Sequence, residues 1–296
     1  MQMPAVKDIL ERGYTLILTD KDPGCVCAKY AHEHIPLDTF DIEGNIEAAR
    51  RLRSKYRMKA VLTVAADCHE TVARVAQFLK LPGVHPEISR ICRYKIRTRK
   101  ALSKNGLLQP RFLTAKSLPE AKAAVKDIGL PVVLKSSNNS GSRGFAKIDT
   151  IEDVTETDFE GALRSGTAGY VIIEELLLPL KGEIAEQSVE TLWHDGKMYW
   201  LNWVDRLFRK DLSLFEGLTI DIPHPAAWAV ELGHINPAIH DEEARAKVCR
   251  MIYDAGVAIG MNRLKNGHIL KADIMITESG PCILEMTPWL SGGWDS

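Results

Sequence analysis

Apolar positions along the chain follow two periods, and the points where one gives way to the other mark its elements. Val6 to Arg12 carries apolar residues at helical spacing up to Gly13, a residue suited to closing a helix. Tyr14 to Leu18 reads as a strand ending at Asp20. Asn45 to Tyr56 reads as a helix behind Asp38, Thr39 and Asp41, Ala60 to Ala65 as a strand, and Asp67 to Leu79 as a helix stopped at Leu81-Pro82-Gly83. Such alternation predicts a small doubly wound parallel α/β domain over residues 1–90. Folds of that kind open with a strand and a Gly-rich turn. This chain opens at Met1 within or just before the first helix, so the first strand is expected to be missing and a central sheet position empty.

The pattern then changes. Ser89 to Asn105 is basic and helical, stopped by Gly106, and Leu118 to Ile128 is a second helix. Pro131 to Leu134 and Phe145 to Ile148 are strands separated by a small, polar loop with two glycines. Tyr170 to Leu178 is a strongly apolar strand interrupted by Glu174 and Glu175, an acidic pair that is expensive to bury unpaired and belongs at a cleft edge or strand end. Glu186 to Glu190 alternates with both acids on one face, Met198 to Val204 is a strand leading to Asp205-Arg206, and Asp221 to Ile239 is irregular. Asp241 to Ile259 is an amphipathic helix with Gly260 as its stop.

The tail predicts a hairpin: Ile269 to Thr277, a turn at Glu278 to Pro281, and Cys282 to Met286. With the loop centred on Ser279, Asp273 faces Glu285 and Lys271 faces Thr287. Two carboxylates about 5 Å apart repel by about 3 kcal/mol at an effective dielectric of about 20. A divalent cation turns that repulsion into a site, and hard oxygen donors without His or Cys beside them suit Mg²⁺ on a nucleotide's phosphates. A register one residue off, with one acid exposed, is the alternative.

Composition narrows the function classes. The 296 residues have 45% hydrophobic and 26% charged content and a net charge of −1, so nothing global points to nucleic acid or an anionic membrane. No apolar run has the length of a membrane span and the N-terminus lacks a signal core, which makes a cytoplasmic location the default expectation. The six cysteines show no CxxC pair and read as reduced thiols; Cys25 and Cys27 near His32 and His34 are either a metal set or an ordinary loop. The Ser89 to Asn105 run is a solvated helix face, a nucleic-acid contact, or the carrier of one phosphate-facing cation, Lys95.

The strand, loop and strand from Val132 to Ile148 offer backbone N–H groups to a phosphate, with Lys135 at the first strand's end and Arg143 inside the loop; a surface hairpin with a polar tip is the bland alternative. A Walker A loop does not match, since no Gly-Lys-Ser/Thr is present, and no GxGxxG supports a dinucleotide dehydrogenase. Carboxylates at Glu186 and Glu190 suit ribose hydroxyls or a solvated strand face. No Ser-His-Asp or Cys-His arrangement is recognisable.

Assembled, the chain resembles the ATP-grasp superfamily of carboxylate ligases over nearly its whole length. The resemblance is carried by Thr19-Asp-Lys-Asp-Pro23, Leu81-Pro-Gly-Val84, Lys95-Ile-Arg97, Val133-Leu-Lys-Ser136, Ser140-Gly-Ser-Arg-Gly-Phe145, Val171-Ile-Ile-Glu-Glu175, Glu186-Gln-Ser-Val-Glu190 and Ile283-Leu-Glu-Met-Thr-Pro288. The Leu290-Ser-Gly-Gly293 ending is similar to a subgroup akin to carbamoyl phosphate synthase and amino-acid ligases. The resemblance implies an α/β and α+β chain: a Rossmann-like pre-ATP-grasp domain at 1–90, then a two-subdomain ATP-grasp fold with antiparallel sheets at 91–296, the smaller subdomain at 91–175 and the larger at 176–296.

It further implies that Lys95 and Lys135 contact phosphates and that the loop of Ser140, Gly141, Ser142, Arg143 and Gly144 closes over them. Glu174 and Glu175, with the adjoining backbone at Leu176, would hold adenine. Glu186 would bind ribose, with Glu183 its rival, and Arg206 would meet the transferred phosphate or the substrate carboxylate. Asp273 and Glu285, with Thr287, would ligate Mg²⁺ or Mn²⁺. The implied chemistry is ATP-dependent activation of a carboxylate as an acylphosphate for attack by an amine, with small-molecule partners, no nucleic acid, no membrane, and a homo-oligomer left open. Thr287 stands where many relatives carry Asn, and Trp289 where they carry Arg. Relatives usually continue past the position of Ser296, so both ends are expected to be incomplete. A nucleotide-binding protein of the same fold without ligase activity is the second reading.

Overall fold

The computed structural model describes residues 3–64, 66–139, 143–208, 211 and 231–290. The N-terminal part holds helices α1 (Met3–Glu11), α2 (Ile42–Leu52) and α3 (His69–Leu79) around two short strands, β1 (Ile17–Thr19) and β2 (Glu33–Ile35), which pair in parallel. Asp41 caps α2 by accepting a hydrogen bond from the Gly44 N–H. The expected strand at Ala60 to Ala65 does not form over 57–64; residue 65 lies outside the described residues. A β-branched run becomes a strand where a neighbour supplies a ladder of hydrogen bonds. Among the described residues none pairs with this one, and Leu62 is exposed. The doubly wound sheet is thus represented by a single parallel pair among the described residues.

The basic run is two helices rather than one. α4 (Pro86–Arg93) and α5 (Lys95–Lys104) meet at Tyr94, whose extended backbone breaks the helical path. That break places Lys95 in the first turn of α5.

Two antiparallel sheets follow. The smaller takes β3 (Phe112–Ala115), β4 (Val132–Ser136), β5 (Phe145–Ile148) and β6 (Val171–Glu175) in the order β3-β6-β4-β5. It is backed by α6 (Leu118–Ile128) and α7 (Glu156–Ser165), with Val125, Val132, Leu134, Ile148, Phe159 and Ile173 in one core. The larger takes β7 (Glu186–His194), β8 (Lys197–Phe208), β9 (Glu231–Ile235), β10 (Gly267–Thr277) and β11 (Gly280–Thr287) in the order β11-β10-β7-β8-β9. β9 forms within the stretch expected to be irregular, of which 221–230 lie outside the described residues. α8 (Glu242–Ile259), capped by Asp241 and closed at Gly260, packs on this sheet so closely that a Cβ at Gly256 would overlap the Trp193 indole. Ile88, Cys92 and Leu102 of α4 and α5 share that core, so both helices pack with the larger sheet.

The hairpin register has a feature the pattern did not reveal. Next to the turn Thr277 pairs with Gly280 and Ile276 with Pro281, one residue off a loop centred on Ser279. A β-bulge between Asp273 and Ile274 leaves Leu284 without a partner and restores the expected pairs, Asp273 with Glu285 and Lys271 with Thr287.

Candidate functional site

The bulge is held by a side chain from another element. Arg99 of α5, 2% exposed, donates from Nη1 to the Ile283 carbonyl at 2.7 Å and from Nη2 to the Leu284 carbonyl at 3.0 Å. The same guanidinium grips Glu174 at the end of β6, with Nε 2.6 Å from Oε1 and Nη2 3.2 Å from Oε2. Lys135 of β4 adds 2.8 Å to Oε2. Burial by itself would raise the Glu174 carboxyl, but Arg99 and then Lys135 outweigh it and hold the group well below the usual carboxylate range. Glu174 therefore joins the small sheet, α5 and the β10–β11 hairpin. The carboxylate expected to hold adenine is engaged by these two cations.

Neighbouring positions surround this clasp. Glu175 pairs with Arg111 at 3.6 Å, and the Leu176 N–H donates to the Pro131 carbonyl at 3.1 Å, tying the segment to β4's start. Lys95 docks on the polar loop: its N–H donates to the Ser137 carbonyl at 3.1 Å and its Nζ to the Asn139 carbonyl at 2.7 Å. Its Nζ also lies 3.7 Å from Glu285 Oε1, so one cation spans loop and hairpin. Arg143 reaches Asp67 at 3.8 Å, linking the loop to the N-terminal part. Gly144 adopts φ +69°, and a Cβ there would come within 2.8 Å of the Ala162 backbone, so the loop's descent requires glycine. Ser140, Gly141 and Ser142 lie outside the described residues.

The facing acids differ in surroundings. Asp273 is buried, with Lys271 Nζ 2.9 Å from Oδ1 and 3.0 Å from Oδ2 and Arg206 Nη1 3.4 Å from Oδ2. Lys271 is aligned as a donor to Oδ2 alone, and Oδ1 is a buried oxygen without a hydrogen bond. Burial would raise the Asp273 carboxyl, while Lys271 first and Arg206 next lower it, with a net downward shift. Glu285 is a third exposed beside Lys95. A buried carboxylate oxygen without an aligned hydrogen bond, a facing carboxylate and hard donors fit a divalent cation. Thr287 sits across from Lys271, its hydroxyl 3.5 Å from the Trp289 carbonyl. Among the described residues no group of three or more His, Cys, Asp or Glu gathers as a metal cluster, and this holds for Cys25, Cys27, His32 and His34 as well.

On the far side of β10, Arg206 pairs with Glu231 at 2.8 Å and stands 3.8 Å from Glu186. Burial would lower its guanidinium, yet Asp273, Glu231 and Glu186 raise it further, so it is a fixed cation among three acids. Glu183, the rival for ribose, has its carboxylate 3.3 Å from His240 Nδ1, whose Nε2 is 3.0 Å from Asp205 Oδ1 and whose ring stacks on Trp203 at 4.3 Å. Glu183 is thereby anchored by a histidine, and Glu186 stands beside Arg206. Trp289 rests against the buried His69 ring, 4.2 Å between centroids, and provides no cation there.

Arg99, Lys271, His240 and Glu231 are the site's unanticipated members. Arg99 had a signal: it lies four residues after Lys95, on the same face of α5. Lys271 had one as well, two residues from Asp273 on the same face of the predicted strand; His240 and Glu231 come from residues whose neighbours the sequence order does not reveal.

No model of a known protein family matches the chain. An uncharacterized protein, y4rH, of Sinorhizobium fredii is 30% identical over 262 residues, 88% of this chain and 49% of that protein. The large chain of carbamoyl phosphate synthase from Thermotoga neapolitana is 26% identical over 304 residues, 93% of this chain and 26% of that one. The chain thus spans half or less of the length of these relatives. Among solved structures, L-amino acid ligase from Bacillus licheniformis superposes with a TM-score of 0.72 at 21% identity, covering 98% of this chain and 64% of that one.

Proposed function

Because the chain belongs to the ATP-grasp superfamily, we propose that it is an ATP- and Mg²⁺-dependent ligase that activates a carboxylate as an acylphosphate for attack by an amine. The observation that carries this reading is the facing of Asp273 and Glu285 at the end of the hairpin where Lys95 joins Glu285 to the polar loop. Lys95 and Lys135 neutralise polyphosphate oxygens, and Arg143 with the Gly144 backbone closes over them. Glu175 and the backbone at Leu176 border the adenine position, and Glu186 or Glu183 meets the ribose. Asp273 and Glu285, with Thr287 beside them, would hold Mg²⁺. When bound, that ion supplies charge neutralisation on the phosphate oxygens. Arg206, fixed by its acids, faces the transferred phosphate or the substrate carboxylate without reorganising. No side-chain nucleophile is required: placement and charge do the chemistry.

Substrates in this reading are a small-molecule carboxylate and an amine. Among the described residues no helix is long and apolar enough to cross a membrane. The test is calorimetry of ATP with and without Mg²⁺ on wild type and Glu285→Ala. Mg²⁺ is expected to tighten binding about tenfold in wild type and to do nothing in the variant. A nucleotide binder without ligase activity is favoured by one observation, Trp289 packed on His69 at a position where the resemblance implies a cation. ADP release that depends on added carboxylate and amine decides for the ligase; nucleotide binding without it decides for the binder.

A further inference from the structure

Resting on that nucleotide reading, we infer that Lys271 is a resident countercation for Asp273 that yields its place to a divalent cation, so that cation and polyphosphate enter together. Lys271 and Asp273 stand two residues apart on one face of β10, and the ammonium lies within 3.0 Å of both carboxylate oxygens. The two cations on Asp273 differ in how they are held. Arg206 is fixed by Glu231 at 2.8 Å and by Glu186, and it stays. Lys271 is a point charge on a flexible stem with one aligned hydrogen bond to Asp273, to Oδ2, and Oδ1 beside it has none.

A free divalent cation approaching this end of the cleft meets acids already neutralised, Asp273 by Lys271 and Glu285 by Lys95. A polyphosphate draws both lysines toward itself, which frees Glu285 and leaves Asp273 with Arg206 alone. Each ligand thereby raises the other's affinity by the same factor, as linkage requires. A merely structural lysine would bring no such exchange.

Mn²⁺ binding by electron paramagnetic resonance, without nucleotide, and metal-free ATP binding by calorimetry in chelator test this on the full chain. Lys271→Met is expected to bind Mn²⁺ about fivefold or more tightly than wild type and metal-free ATP about threefold or more weakly. Opposite signs in one variant exclude simple loss of folding. Lys271→Arg, which keeps the charge, should stay within about twofold of wild type in both, and Asp273→Asn should abolish the Mn²⁺ signal. Unchanged or weakened Mn²⁺ binding in Lys271→Met, with wild type still binding ATP together with Mn²⁺, overturns the exchange. If wild type binds neither Mn²⁺ nor ATP, the nucleotide reading falls and the exchange with it.

Discussion

Glu174 and Asp273 are both buried carboxylates between two cations, and they do different work. Around Glu174 both oxygens accept aligned hydrogen bonds, and Arg99 uses its remaining donors on the two bulge carbonyls. Around Asp273 one oxygen has the lysine ammonium against it but no aligned hydrogen bond, the lysine's hold is a single aligned bond, and a second acid faces the first. Saturation makes the first pair a clasp. Incomplete satisfaction makes the second a place where a stronger cation gains by entering.

Arg99→Met breaks the comparison most severely. It leaves Glu174 with Lys135 alone and strips the Ile283 and Leu284 carbonyls of their donors, so the bulge that sets the Asp273–Glu285 register loses its support. Removing one partner of a buried pair costs about 3–5 kcal/mol, and urea denaturation should show that loss together with a weakened Mg²⁺ effect on nucleotide affinity. Asp273→Asn should act the other way round. Arg206 keeps Glu231 and the shape is unchanged, so stability should fall by only about 1–2 kcal/mol while the Mg²⁺-dependent gain in ATP affinity disappears. A variant in which stability and the Mg²⁺ effect fell equally at both positions would erase the distinction.

Acid titration sharpens the same contrast at smaller scale. Glu174 and Asp273 both have lowered carboxyls, so the unfolded chain binds their protons first as pH falls. Their stabilisation is complete above about pH 4–4.5, the unfolded values, and is lost as pH drops through the folded ones. Glu174→Gln should flatten the acid limb of a stability-against-pH curve more than Asp273→Asn does, because its two cations are both within hydrogen-bond reach.

How much of this was legible follows from which interactions are local. The facing of Asp273 and Glu285 could be read because a hairpin ties register to a short turn. The observed register reaches the same pairs through a bulge at Leu284 that no alternation reveals. Asp241 and Gly260 announce the ends of α8 because caps act on adjacent backbone. Arg99 was hidden in a basic run that reads as a solvated face, and its partners Glu174 and Ile283 lie 75 and 184 residues away. The strand expected at Ala60 to Ala65, absent over 60–64, shows the limit from the other side: composition supplies β propensity, but a strand exists only if a neighbour pairs with it.

The smallest effect belongs to a third charged contact beside the same sheet. His240 lies between Asp205 and Glu183 with Trp203 stacked on its ring. Burial would lower the imidazole; the Asp205 hydrogen bond and charge, then Glu183 and Asp241, raise it overall. The sign is therefore opposite to that of the acids: its contribution is complete below about pH 6.5, the unfolded value, and is lost as pH rises through the folded one. His240→Asn should remove a shallow decline in stability on the neutral-to-alkaline side, worth about 1 kcal/mol or less after solvent screening. The variant should also free the Glu183 carboxylate. Weaker ATP binding in His240→Asn at pH 6, with little difference from wild type at pH 9, would mark Glu183 as the ribose acid; unchanged binding at both would leave that role to Glu186.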